Sequence, residues 1–168
     1  LWITLPLSNL TSSSVALIGL PGSGKSTLGR QLARRLRSSF IDTDHAIESK
    51  LGCTIRDFFT REGEQRFRDI EQDVLKDLTQ SFHGILATGG GAVLRPANRQ
   101  ALSSLTHTIY LHTHPDELYR RLRHDTARPL LQTSNPLERL HELYRQRHNL
   151  YQQTARFVID TGRHSSHR

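Results

Sequence analysis

Cys53 is the one cysteine in 168 residues, which excludes an internal disulfide framework and fits a reducing compartment, the cytoplasm. Methionine is missing altogether, so the numbering is expected to begin after an initiator. Lysine is scarce, with only Lys25, Lys50 and Lys76, and aromatics make up 7%. No apolar run approaches the ~20 residues of a membrane-spanning helix. The longest N-terminal candidate, Leu1 to Leu7, has no basic residue before it and contains Thr4 and Pro6. Neither a signal peptide nor a membrane partner is therefore expected. With 35% hydrophobic and 23% charged residues, the composition suggests neither disorder nor a fibrous class, and the length fits one domain.

The charge is one-sided: 23 Lys and Arg against 16 Asp and Glu, a net +7. That surplus invites a nucleic-acid reading, but it is spread along the chain without a basic block. The local excess runs from Arg120 to Arg147, where seven Arg face Asp125, Glu138 and Glu142. Positivity that is rich in Arg and poor in Lys suits bidentate capture of phosphate or carboxylate on a compact ligand. A nucleic-acid partner is not expected.

Residues 1–14 read as an extension. An apolar stretch is followed by the polar run Ser8 to Ser14, a linker composition. From residue 15 onward the chain reads as one domain in which short apolar strands alternate with longer amphipathic segments. Strands are expected at Val15–Ile18, Phe40–Ile41, Gly84–Ala87, Thr108–Leu111 and Phe157–Ile159. Leu28, Leu32, Ala33 and Leu36 recur at helical spacing, as do Leu137, Leu140, Leu143 and Tyr144. A mostly helical stretch runs from Ala46 to Gln80 with breaks near Gly52 and Gly63. Further helices are expected from Pro96 towards Leu105 and from Pro115 to Arg123, and a long one from Pro136 to Gln153. The polar segment 124–135 is a candidate lid. Strands separated by helices imply an α/β fold with a five-stranded parallel, doubly wound sheet.

Gly19-Leu20-Pro21-Gly22-Ser23-Gly24-Lys25-Ser26 fits G-x-x-x-x-G-K-[ST] between an expected strand and an expected helix. Glycines let backbone N–H groups converge on phosphate oxygens, and the helix N-terminus adds partial positive charge. Lys25 reaches the terminal phosphates and Ser26 ligates Mg²⁺ in such a loop. A nucleoside triphosphate is the expected ligand.

Asp42-Thr43-Asp44 closes the second strand, where the ligand crevice of an open α/β sheet lies. Alternation along an extended chain would turn both carboxylates into that crevice. One would then serve near Mg²⁺ and the other would accept a hydroxyl proton. The alternative is an Asp turn capping the next helix. Arg68 and Glu71 fall on one helical face, either as a surface ion pair or as a fork held ready for a carboxylate. Three consecutive glycines, Gly89 to Gly91, point to close backbone approach to a ligand. His112-x-His114 reads as ordinary surface.

Taken in order, these elements resemble shikimate kinase, the small P-loop enzyme family of aromatic amino-acid biosynthesis. The resemblance runs from Val15 to Thr161. It rests on the phosphate loop, Asp42-x-Asp44, Gly63-Glu64 with Phe67-Arg68 and Glu71, and the triple glycine. Arg128-Pro129-Leu130-Leu131 and Arg147 with Leu150-Tyr151 complete it. It implies a P-loop nucleoside-kinase-like α/β/α architecture with a mobile lid, acting as a monomer with ATP and Mg²⁺ on shikimate. Gly22, Ser23, Gly24, Lys25, Ser26 and Thr27 would bind the nucleotide, with Arg121 near adenine and Arg128 reaching the transferring phosphoryl group. Ser26 and Asp42 would serve the metal. Asp44, Arg68, Gly90, Gly91 and Arg147 would hold shikimate, with Asp44, Lys25 and Arg128 as the catalytic set. Asn149 stands where family members often carry Pro. A kinase of another small acid, such as gluconate, is the alternative.

Overall fold

The computed structural model describes residues 14–124 and 133–162. Five parallel strands form one sheet: β1 (Ser14–Ile18), β2 (Ser39–Asp42), β3 (Gly84–Ala87), β4 (Thr106–His112) and β5 (Phe157–Asp160). Their order across the sheet is β2-β3-β1-β4-β5. Seven helices complete the described chain: α1 (Lys25–Leu36), α2 (Thr43–Leu51), α3 (Ile55–Glu62), α4 (Glu64–Ser81), α5 (Pro96–Leu105), α6 (Pro115–Leu122) and α7 (Pro136–Thr154).

The central strand shows why the layers form. Alternate residues of a strand face opposite sides, and both sides of β1 are apolar. Val15 and Leu17 pack against Ala33 and the half-buried leucines of α1. Ala16 and Ile18 join Leu102 of α5 and Leu140, Leu143 and Tyr151 of α7 on the other face. A strand covered on both faces reads as a continuous apolar run, as this one does. A third cluster, Ile47, Phe58, Phe67 and Val74, binds α2, α3 and α4 into a unit of their own.

Several boundaries differ from the sequence reading. Ser14, grouped there with the polar extension, opens β1 and is buried, its hydroxyl donating to the Phe82 carbonyl at 2.5 Å. The helical stretch after β2 begins at Thr43, because the Asp42 side chain caps it. Breaks fall at Gly52 and Gly63, as the spacing suggested. β4 is longer at both ends than its apolar centre, and at its start the Thr106 hydroxyl is accommodated by donating to the Leu102 carbonyl at 2.6 Å. Residues 125–132 of the candidate lid, Arg128 among them, lie outside the described residues.

Candidate active site

β1 ends at Ile18, and residues 19–24 turn back to start α1. Gly22 and Gly24 hold φ of 83° and 95°, the left-handed region that glycine enters without a Cβ penalty. Gly24 is the N-cap of α1, with no side-chain cap and no acidic residue in the first turn. The positive end of a twelve-residue helix is thus left to an anion. Lys25 is buried and donates to the Gly19 and Leu20 carbonyls at 2.7 and 2.9 Å, holding the loop in its arch. The Ser23 hydroxyl is buried without a partner among the described residues. This cradle and its donors fit a polyphosphate.

Asp42 caps the next helix and also reaches Ser26. One carboxylate oxygen accepts from the Asp44 and His45 N–H groups, capping α2. The other accepts from the Ser26 hydroxyl at 2.7 Å. A hydroxyl and a carboxylate are the hard oxygen donors that Mg²⁺ takes, so Ser26 and Asp42 fit that ion. The geometric reason given from sequence for Asp44 needs correction. Asp44 lies in the first turn of α2, not on an extended strand, and helix geometry brings its carboxylate to the crevice. Burial pushes its carboxyl above the usual range, and Asp42 adds to the shift, while Lys25 and Arg68 oppose it.

Two cavities meet at Asp44. The first, about 460 Å³, is lined by Gly22, Gly24, Lys25, Ser26, Thr27, Asp42 and Asp44. The second, about 160 Å³, is lined by Asp44, Arg68, Glu71, Gly91 and Arg147 with the rings of Phe59 and Phe67. Pro21, Gly89 and Gly90 border both. One cavity is lined by the glycine-rich loop and suits phosphate, and the other presents two guanidinium groups in a small, partly aromatic hollow.

Arg68 and Glu71 are not a surface pair. Arg68 Nη1 donates to Glu71 Oε1 at 2.9 Å, and Glu71 is 1% exposed. Burial raises the Glu71 carboxyl, and the Arg68 charge works against that shift. The Arg68 guanidinium also lies over Phe67, 5.2 Å from the ring centroid. Arg147, buried on α7, faces the same hollow. The Nε atoms of both arginines are buried without a hydrogen-bond partner among the described residues. Buried donors of that kind call for an acceptor, and a carboxylate suits two guanidinium forks.

The triple glycine makes room for these side chains, a reason for it that the sequence did not show. A Cβ at Gly89 would lie 2.5 Å from an Asp44 carboxylate oxygen, and one at Gly90 would lie 2.7 Å from Pro21 Cδ. A Cβ at Gly91 would fall on the Arg68 guanidinium. The Gly89 N–H donates to the Thr43 hydroxyl at 3.2 Å, tying this run to the turn that carries Asp44.

The shikimate kinase family profile matches residues 21–168. The chain belongs to the shikimate kinase family. A shikimate kinase of Paracidovorax citrulli is 54% identical over 152 residues, covering 89% of this chain and 83% of that relative. Shikimate kinase from Acinetobacter baumannii, solved in complex with shikimate, superposes with a TM-score of 0.87 at 40% identity, covering 94% of this chain and 89% of that one. A gluconokinase from Sinorhizobium meliloti reaches a TM-score of 0.51 at 17% identity, over 91% of this chain and 85% of its own, a likeness of fold alone.

Of the residues that the shikimate kinase resemblance singled out, Arg121 stands apart from both cavities. It sits on α6, where Nη2 donates to the Thr161 carbonyl at 2.5 Å and Nε faces Glu117 at 3.7 Å. His112, expected as ordinary surface, is half-buried and bonded to the Tyr144 hydroxyl at 2.8 Å. Sequence reasoning gave no site role to Pro21, Thr43, Phe59 or Phe67. Phe59 and Phe67 lie on two helices separated by Gly63, so no single helical period links them. No helix among the described residues is long and apolar enough to cross a membrane.

Proposed function

We infer that this protein transfers the γ-phosphoryl group of ATP to the 3-hydroxyl of shikimate. The observation that carries the reading is the junction at Asp44 of a phosphate cradle and a hollow lined by two arginines whose Nε atoms are buried without a partner among the described residues. Gly22, Ser23, Gly24, Lys25, Ser26 and Thr27 hold the polyphosphate, and Ser26 with Asp42 hold Mg²⁺. When bound, that ion neutralises charge on the phosphate oxygens. Arg68 and Arg147 grip the shikimate carboxylate above Gly90 and Gly91, which leaves the hydroxyl end of the ring towards Asp44. Asp44 orients that hydroxyl and accepts its proton as the new oxygen–phosphorus bond forms and the bond to ADP breaks. Catalysis on this reading is mainly positioning and charge stabilisation, with Lys25 and Arg128 offsetting charge on the phosphoryl group. Arg121 flanks the adenine.

The protein acts as a monomer in the cytoplasm, on a small acid and not on nucleic acid. Its arginine surplus supports that assignment where arginines line the acceptor hollow. A coupled ADP-release assay across shikimate, quinate, gluconate and a nucleoside tests the acceptor. Turnover with shikimate well above the others is expected, and turnover with gluconate in its place would overturn the reading.

A further inference from the structure

Outside the linings of both cavities, β4 and α7 meet in a cluster of rings. The Tyr110 hydroxyl of β4 lies 2.9 Å from His148 Nδ1 of α7, and His112 Nε2 lies 2.8 Å from the Tyr144 hydroxyl. The two imidazoles stand 5.1 Å apart between centroids. Tyr144 stacks on both His148 and His114, at 4.6 and 5.6 Å. Tyr151 of α7 packs on Tyr110 at 4.9 Å, and the Asp160 carboxylate of β5 reaches to 3.9 Å from His112 Nδ1. Asp116 of α6 is turned instead to His141, at 3.1 Å.

This arrangement asks for neutral imidazoles. Tyr110 is buried, and burial pushes its hydroxyl well up, so the group keeps its proton and must donate it. Its acceptor among the described residues is His148 Nδ1. Only a neutral ring can accept, because both nitrogens of an imidazolium carry hydrogen. A neutral His112 with its proton on Nδ1, towards Asp160, accepts from Tyr144 in the same way. Charging both rings would also set two cations side by side. Burial holds both histidines below their ordinary value; His112 and His114 add to the shift at His148, whereas Asp160 opposes it at His112. Asp160 is mostly exposed, so water and salt screen that opposition.

We propose that His112 and His148 form an acid-sensitive latch: neutral, they hold α7 against β4, and protonated, they release it, so that Arg147, the residue before His148, loses its fixed place in the acceptor hollow. The inference rests on the reading of that hollow as the shikimate site. Its sign follows from linkage. Both rings take up protons more readily in the unfolded chain, so their contribution to stability is complete above about 6.5, the ordinary imidazole value, and is lost as pH falls through the folded values. Asp44, with its raised carboxyl, contributes in the opposite sense. The phosphate cradle is built on β1 and α1, so acid release of α7 leaves it in place.

His112→Gln combined with His148→Asn keeps an acceptor oxygen for each hydroxyl and removes the titration. Between pH 7.5 and pH 5.5 the urea midpoint of the parent is expected to fall further than that of this double variant. Amide exchange over residues 143–154 at pH 5.5 should be faster in the parent. Over the same interval, shikimate affinity measured without nucleotide should weaken roughly 2- to 10-fold more in the parent, the scale of one hydrogen bond, with ATP affinity changing equally in both. Parallel midpoints with equal exchange overturn the latch, and equal weakening of shikimate in both proteins overturns its link to Arg147. Should the double variant fail to fold, an NMR titration of the histidine rings in the parent decides: both are expected to protonate below 6.5, and either one titrating at or above it overturns the proposal. A parent that binds no shikimate at either pH sinks the acceptor reading, whereas the latch itself falls only on the midpoints, the exchange and the ring titration.

Discussion

Gly91 faces the guanidinium of Arg68 so closely that a Cβ there would lie 2.6 Å from Arg68 Cζ. The glycine is therefore a condition for where the arginine sits. The overlapping atoms are the far end of a flexible side chain, so Gly91→Ala is accommodated by moving Arg68, not by unfolding. Arg68 would swing away from Glu71, which is buried and holds it at 2.9 Å. Gly91→Ala is expected to raise the KM for shikimate by an order of magnitude or more while ATP binding stays as it was. Steady-state kinetics with each substrate varied in turn measures this. A shikimate KM equal to that of the parent would show that Arg68 does not need this position.

The two arginines make separable contributions. A charge-assisted hydrogen bond contributes about 1.5–3 kcal/mol, so Arg147→Ala should weaken shikimate by roughly 10- to 150-fold. ATP affinity measured without acceptor should change little. Arg68→Lys should also impair the enzyme, because an ammonium keeps the charge but loses the planar fork that now spans Glu71 and the hollow. Equal weakening of ATP and shikimate by Arg147→Ala would place that residue in the nucleotide site instead.

Much of this site was legible in the sequence because its chemistry sits at strand ends and in short contiguous motifs. Gly22 to Thr27, Asp42 and Asp44 are close together in the chain, and strand-end topology brings them to one crevice. Arg68 and Arg147 are 79 positions apart, and no period or spacing relates them; only the family resemblance paired them. Thr43 was hidden for a different reason. Its work is to fix the backbone of Gly89, a contact 46 positions away in sequence. The capping role of Asp42 competed with its metal role in a one-dimensional reading, whereas in the fold one oxygen caps α2 and the other is left to face Ser26. The partners of Glu71 likewise give no local sign of burial, since Arg-x-x-Glu on a helix reads first as a solvated pair.

Lys25 bears on both chemistry and fold. Its amine donates to two loop carbonyls in a buried setting, so Lys25→Ala removes more than a phosphate contact. Leaving buried acceptors without a donor costs about 1–3 kcal/mol, or roughly 2–10 °C in Tm for a chain of this size. Turnover should fall by at least ~10²- to 10³-fold, the scale for loss of one preorganised charge contact in a transition state. Thermal melts and single-turnover assays on the same preparation separate the two effects. Near-normal turnover would remove Lys25 from the chemistry.

Asp44 sets stability against activity, and the sign follows from its raised carboxyl. Between the unfolded and the folded values, the native state binds more protons at this position than the unfolded chain does. Stability from Asp44 is therefore complete at low pH and is lost as pH rises through the folded value. Above it, the protein carries a half-buried carboxylate beside Asp42 that Lys25 and Arg68 only partly offset. Asp44→Asn removes that charge. The variant is expected to melt higher than the parent at pH 8, and the difference should close towards pH 4 as the parent protonates. Loss of the proton acceptor should lower turnover by about 10²- to 10⁴-fold. In the parent, kcat/KM for shikimate should decline on the acid side at a pH above the usual carboxylate range, because protonated Asp44 cannot take the hydroxyl proton. Urea melts of both proteins at pH 4 and pH 8, with rate profiles between, test the two halves together. If Asp44→Asn proved less stable than the parent at pH 8, the burial of an uncompensated charge would be the wrong account; if it kept its turnover, Asp44 would not be the base.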